Sequence, residues 1–136
     1  MSYNKPLPRI DRFNSGFWES ARRHELALQH CAECGHWWYP AAATCPRCLS
    51  AQVSWKTASG LGRVWSRCRF HHLYDKAFAG DIPYNVVMVE LDEGPMFIAN
   101  VAGREWERID IGMRVRAVFS KATDEVSLLH FEATGE

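Results

Sequence analysis

The stretch Cys31-Ala-Glu-Cys34, ten residues, then Cys45-Pro-Arg-Cys48 decides how this chain is read. A tetrahedral Zn²⁺ needs four soft ligands converging on one point, and two C-x2-C knuckles supply them as two pairs of thiolates. Gly35 follows the first pair and suits a turn with positive φ. Pro46 stiffens the second. The gap fits a short pair of strands carrying His36-Trp-Trp-Tyr39, with a turn near Pro40. This spacing predicts a zinc ribbon. With Cys31, Cys34, Cys45 and Cys48 filling all four positions, no ligand place is left for a reactive water, so the expected role is structural. A Cys₄ set also holds iron in rubredoxin-type sites. Disulfides rank lower, because C-x2-C pairs without an export signal read as metal sites.

Outward from the box, the bulk properties bound the rest. The 136 residues allow one domain, or one small domain plus a zinc module. Lys+Arg and Asp+Glu both number 16, so the formal net charge is zero, without the basic excess usual in general nucleic-acid binders. No apolar run approaches a membrane span, and Met1 to Arg12 has no apolar signal core. A cytoplasmic location with reduced cysteines is expected.

Upstream of the box, Lys5-Pro-Leu-Pro8 predicts an extended arm, loose or laid on a partner. Asn14 or Ser15 suits a helix N-cap. Phe13, Phe17 and Ala21 recur at helical spacing with Trp18 beside them, predicting a short helix from about Ser15 to His24. Its aromatic face suits either a core or a partner. Glu25 to His30 reads as a strand entering the first knuckle, and Leu49 to Trp55 as a strand leaving the second.

Downstream, Ser59-Gly60-Leu-Gly62 marks a new unit. Strands are expected over Arg63–His71, Tyr84–Leu91, Met96–Val101, Met113–Ser120 and Val126–Phe131. Asp92-Glu-Gly94-Pro95 is a hairpin turn, and Gly103 to Ile111 a charged connection with room for one helical turn. Tyr84–Leu91 is apolar on both faces, as in a central strand. Five such strands predict a mainly β chain ending in a small OB-like barrel, with an SH3-like barrel as the alternative. The expected domains are 1–24 (arm and helix), 25–58 (ribbon) and 59–136 (barrel).

Period-2 alternation over Arg63–His71 puts Arg63, Trp65, Arg67, Arg69 and His71 on one face and Val64, Ser66, Cys68 and Phe70 on the other. The basic stripe suits single-stranded nucleic acid, the adenine and phosphates of coenzyme A, or plain solvent. Cys68 is expected in the core. His71-His72 with Asp75 is more readily a polar strand end than an acid/base set. The sequence has no Gly-rich phosphate loop, no G-x-S-x-G and no H-E-x-x-H, so a free-standing enzyme is the weaker expectation. Three consecutive aromatics, Trp37, Trp38 and Tyr39, cannot all face one core, and partner contact is expected for at least one.

The series Phe17-Trp18-Glu19, Glu25-Leu26, Cys31-x-x-Cys34-Gly35, Tyr39-Pro40, Cys45-Pro-x-Cys48, Ser59-Gly60-x-Gly62-x-Val64, Pro83-Tyr84, Val89-Glu-Leu-Asp-Glu-Gly94 and Ile111-Gly112-Met113-x-Val115 resembles the family once called domain of unknown function thirty-five. The resemblance runs from about Arg12 to Phe131. It implies an N-terminal helix and a rubredoxin-like zinc ribbon, followed by a five-stranded OB-fold. It implies one structural Zn²⁺ on the four cysteines. It further implies a non-catalytic accessory subunit of a thiolase or lipid-transfer-protein-like aldolase that cleaves or forms a carbon–carbon bond in an acyl-CoA thioester. Some members of that family pair instead with MaoC-like enoyl-CoA hydratases. CoA or partner contact is then expected at Arg63, Trp65, Arg67, Arg69, His71, Trp37 and Trp38. In that family glycine usually follows the second knuckle. Here Leu49 stands there, so the turn must close without an easy positive φ.

Overall fold

The computed structural model describes residues 3–102 and 105–134. One helix, α1 (Ser15–Arg22), precedes a three-stranded antiparallel sheet of β1 (Ala27–Cys31), β2 (Trp37–Trp38) and β3 (Val53–Thr57), in the order β2-β1-β3. The expected strand pair within the ligand gap is a single two-residue strand, and it pairs back on β1 rather than locally. The chain after the second knuckle becomes a strand at Val53, later than the expected Leu49, because Leu49 to Gln52 still belong to the turn.

Local chemistry explains how α1 is held. Asn14 is the N-cap position, but its side chain does not cap the helix. The Asn14 Oδ1 accepts from the Asp11 backbone N–H, while Asp11 Oδ1 accepts from the Phe13 and Asn14 N–H groups, forming a rigid entry turn. At the other end His24 takes φ 59°. Its N–H reaches the Ala21 carbonyl and that of Glu25 reaches Ser20, a Schellman closure made without glycine. Gly16 allows the helix to press on β3, since a Cβ there would lie 2.3 Å from the Trp55 ring.

The second unit is a closed barrel of β4 (Leu61–Phe70), β5 (Tyr84–Leu91), β6 (Met96–Val101), β7 (Arg114–Lys121) and β8 (Ser127–Ala133), in the order β4-β5-β6-β8-β7 and back to β4. All pairs are antiparallel except β6 with β8, which is parallel. A five-stranded Greek-key barrel closed in this way is an OB-fold, not an SH3-like barrel. The charged connection carries a short 3-10 turn, Glu105–Glu107; its residues 103 and 104 lie outside the described residues.

One aromatic column joins the two units. Phe17 of α1 is buried, 5.9 Å from the Phe97 ring of β6 and 6.0 Å from Tyr39 of the ribbon. Phe97 in turn meets Phe131 of β8 edge-on at 6.2 Å. Phe17 is therefore core. The N-terminal arm is not free either: Lys5 Nζ lies 2.6 Å from Asp81 and 5.5 Å from the Phe78 ring, which straps the arm onto the β4–β5 loop.

Candidate functional site

The first candidate site is the cysteine box. Cys31 arrives at the end of β1 and is fully buried, as is Cys45, while Cys34 and Cys48 are exposed. All four Sγ atoms lie within 4.8 Å of one another. Cys31–Cys48 and Cys34–Cys45 are each 3.6 Å apart, far beyond a sulfur–sulfur bond. A tetrahedron with Zn–S of about 2.3 Å has edges of about 3.8 Å, so the set fits the ion. The backbone prepares the same charge. Cys34 N–H points at Cys31 Sγ, and the Arg47 and Cys48 N–H groups point at Cys45 Sγ, at 3.4–3.5 Å.

Without a cation these thiols pull apart in acidity. The Cys34 N–H outweighs burial and lowers Cys31. Burial raises Cys45, but the Cys48 and Arg47 N–H groups bring it down to about 7. The Ser50 N–H lowers Cys48, yet burial and the three neighbouring thiols push it up to about 12. Four thiolates this close need a compensating dication.

Both knuckles close through a left-handed residue. Gly35 has φ 77° and Leu49 has φ 65°. The second turn thus keeps its geometry with a leucine held in a conformation that favours glycine. Gln29, which sequence reasoning missed, fixes the ribbon from below. It is buried on β1, and its Oε1 accepts from Trp38 Nε1 at 2.7 Å and from the Ala42 N–H at 2.7 Å. Trp38, expected as a contact residue, is therefore buried and internally bonded. Trp37 is half-buried, with the His30 ring 5.0 Å away and Lys56 Nζ 5.3 Å from its centroid.

The second candidate site is the open end of the barrel, where the expected basic stripe divides. Val64 pairs with Val89, but Ser66 pairs with Met88, so a β-bulge absorbs Trp65. A bulge inserts one residue and reverses the facing of everything beyond it. Arg63 stays on the outer face opposite Glu90, whereas Arg67 and Arg69 pair with Val87 and Asn85 and turn toward the barrel mouth. Cys68, expected in the core, is exposed for the same reason. His71 lies just past β4 and is exposed.

At the mouth the Arg69 guanidinium sits 4.3 Å from the Trp106 ring centroid. Arg67 Nε is 3.7 Å from Asp110, and both side chains are substantially exposed, a loose pair worth little. Arg67, Arg69 and Trp106, together with Asn85 and Ile109, border a cavity of about 240 Å³. Asn85 also closes the barrel: its Oδ1 accepts from the Val101 N–H at 2.6 Å and its Nδ2 donates to the Val101 carbonyl at 3.1 Å, beyond the end of the β5–β6 ladder. Trp106, Asp110 and Asn85 carried no sequence signal, because only the fold brings them to β4. The two histidines do not form a set with Asp75, whose carboxylate caps the Lys76–Phe78 turn through the Ala77 N–H.

Fold and site define a class: a Cys₄ ribbon joined to an OB-fold barrel. Residues 18–54 match the family profile "ChsH2, rubredoxin-like zinc ribbon domain" and residues 55–120 match "ChsH2, C-terminal OB-fold domain". A DUF35 domain-containing scaffold protein of Methanothermobacter thermautotrophicus is 30% identical over 105 residues, 76% of this chain and 78% of that protein. The chain belongs to this ChsH2/DUF35 family. It is also 36% identical over 124 residues to a probable enoyl-CoA hydratase alpha subunit of Thermomonospora curvata, and 30% identical over 112 residues to the 3-oxo-4,17-pregnadiene-20-carboxyl-CoA hydratase alpha subunit of Mycobacterium tuberculosis. These matches cover 91% and 82% of this chain but only 38% and 35% of those proteins, so the chain spans little more than a third of their length. Among solved structures, a chain of the Ltp2-ChsH2(DUF35) aldolase superposes with TM-score 0.82 at 35% identity, over 93% of this chain and 98% of that one. Among the described residues no helix is long and apolar enough to cross a membrane.

Proposed function

We propose that this chain is a non-catalytic accessory subunit of a thiolase-superfamily enzyme, a thiolase or retro-aldolase, acting on a carbon–carbon bond of an acyl-CoA thioester. The observation that carries the reading is the near-complete superposition on a chain whose structure is named as an aldolase complex. The cysteine box supports it, since four filled thiolate positions suit a structural Zn²⁺ on Cys31, Cys34, Cys45 and Cys48 and leave no place for a metal-bound water. The mouth residues Arg67 and Arg69 supply the contact to CoA, with the guanidinium groups meeting its phosphates. Arg63, Trp65 and His71 stand apart from that cavity and are left to partner contact.

A second reading has its own support. Two relatives are named as hydratase alpha subunits, so a MaoC-like enoyl-CoA hydratase is the alternative partner. Purifying the tagged chain from its native host and identifying near-stoichiometric companions by mass spectrometry separates the two. A thiolase-like companion supports the first reading and a hydratase-like one the second. Binding to oligonucleotides that weakens steeply with salt, without either companion, would overturn both in favour of a nucleic-acid module.

A further inference from the structure

A recess of about 290 Å³ lies between the N-terminal arm, α1 and the ribbon sheet, apart from the cysteine box and the barrel mouth. Its floor follows from strand register. Gln29 of β1 pairs with Trp38 of β2 on one side and with Trp55 of β3 on the other, so the three side chains form one row across the sheet. Phe17 and Trp18 of α1 border the same space, and Tyr39 lines its side. Phe17, Gln29 and Trp38 are each only 6% exposed, whereas Arg9 and Tyr39 are exposed, which gives the recess a buried floor and an open rim. Its volume stands where small-molecule pockets begin, at about 300 Å³.

The Gln29 amide is oriented by its neighbours. The Trp38 indole and the Ala42 backbone N–H can only donate, so the atom that receives both is the carbonyl oxygen. Both lone pairs of Oε1 are thereby used. The two donors on Nε2 bond to no group among the described residues, and the nitrogen is not sealed by protein, so it opens into the recess. The indole N–H groups of Trp18 and Trp55 have no hydrogen-bond partner among the described residues either. The row of Trp38, Gln29 and Trp55 therefore offers donors set among rings and no free side-chain acceptor. The space is far larger than one water needs, and loosely held water over aromatic rings is displaced favourably by an apolar ligand. Such a ligand must bring its own acceptor oxygen to Nε2. A carboxylate on this floor would be buried without a cation, since Arg9, the one charged side chain among the described residues that line the recess, is exposed at the rim.

We infer that this recess is a binding site for a flat ring compound carrying a neutral carbonyl oxygen, with the ring among Phe17, Trp18 and Trp55 and the oxygen on the Gln29 amide. The inference does not rest on the accessory-subunit reading. Three probes on one skeleton test it on the zinc-loaded full chain: 1-indanone, the 1-aminoindane cation, which can only donate, and the anion indane-1-carboxylate. Binding is followed through the side-chain N–H signals of Gln29, Trp18 and Trp55 in ¹⁵N-resolved NMR. The ketone should bind with a Kd of about 5 mM or tighter, the level expected of a fragment this small, and should move the Gln29 amide together with both indoles. The cation and the anion should each bind at least about 10-fold more weakly, because each buries an uncompensated charge. Gln29→Glu keeps an oxygen for Trp38 and Ala42 but has no donor, and should weaken the ketone by at least about 10-fold. Ala41→Phe alters another residue that lines the recess, leaves Gln29 in place and fills the space, and should abolish the shifts while the chain keeps its zinc. Equal binding of all three probes overturns the assignment, since ring burial alone would explain it. No shift from the ketone in the wild-type chain up to about 10 mM overturns it as well, as do shifts confined to residues outside the recess or undiminished binding by either variant.

Discussion

Replacing Gln29 with leucine tests the ribbon's internal logic with little change in volume. The Gln29 Oε1 is the acceptor for two donors at once, Trp38 Nε1 and the Ala42 N–H, both at 2.7 Å. Leucine leaves both without a partner. A buried donor stripped of its acceptor costs about 1–3 kcal/mol. Trp38 is buried and belongs near the middle of that range, while Ala42 is half-buried and belongs near its lower end. The expected loss is about 3 kcal/mol. For 136 residues the unfolding entropy is about 0.3 kcal/mol/K, so the melting temperature should fall by about 10 °C. Urea unfolding followed by tryptophan fluorescence measures the free energy, and metal analysis of the same sample should still find one zinc per chain, since no ligand is touched. In a Trp38→Phe background, which lacks the indole donor, Gln29→Leu should cost about 2 kcal/mol less than in the wild type. A loss below about 1 kcal/mol, or strict additivity of the two changes, would refute the claim that Gln29 holds the ribbon through these two bonds.

Cys31→Ser or Cys48→Ser should abolish zinc binding and unfold the ribbon, because metal and fold are coupled; wild-type zinc content in either would count against a four-ligand site. Leu49→Gly should stabilise the chain by about 0.5–1 kcal/mol, relief of the left-handed strain being offset in part by the freer unfolded glycine; a lower denaturation midpoint would contradict that account. Bidentate hydrogen bonds from Arg114, at 2.7 and 2.9 Å, hold the Asp92 carboxyl below its ordinary value. Its contribution is therefore complete above the unfolded value of about 4 and is lost as pH falls through the folded one. Asp92→Asn should flatten the acid limb of the stability curve by less than about 1 kcal/mol, since the pair is partly exposed, and a change confined to neutral pH would show the assignment wrong. Arg67→Ala with Arg69→Ala should raise the partner enzyme's KM for its CoA substrate, and an unchanged KM would remove the barrel mouth from CoA binding.

Much of this architecture is written locally in the chain. The cysteine spacing announces the box because four ligands must sit at knuckle distance on two short turns. The five barrel strands stand out because their apolar residues alternate between glycine-marked bends. What is hidden depends on single insertions or distant partners. The bulge at Trp65 breaks the parity on which the facing of Arg67, Cys68 and Arg69 was counted, and alternation alone cannot register one extra residue. The strap from Lys5 to Asp81 joins positions far apart in the chain. Gln29 looks like an ordinary polar residue in a strand until Trp38 and the Ala42 backbone are brought over it. Leu49 reads as a missing glycine, and only the backbone shows that it takes up the glycine's conformation. The doubly apolar Tyr84–Leu91 was legible as a central strand, but a barrel has one interior, and the second apolar face is left pointing outward.

The central claim is that this chain assists an acyl-CoA enzyme without carrying its chemistry. The most direct measurement is turnover of the acyl-CoA substrate by three purified samples: this chain, the companion enzyme subunit, and the two combined. The account predicts no turnover by the chain alone, impaired turnover by the companion alone, and full activity restored at a stoichiometric ratio. Turnover by the isolated chain, or a companion indifferent to its addition, would contradict it.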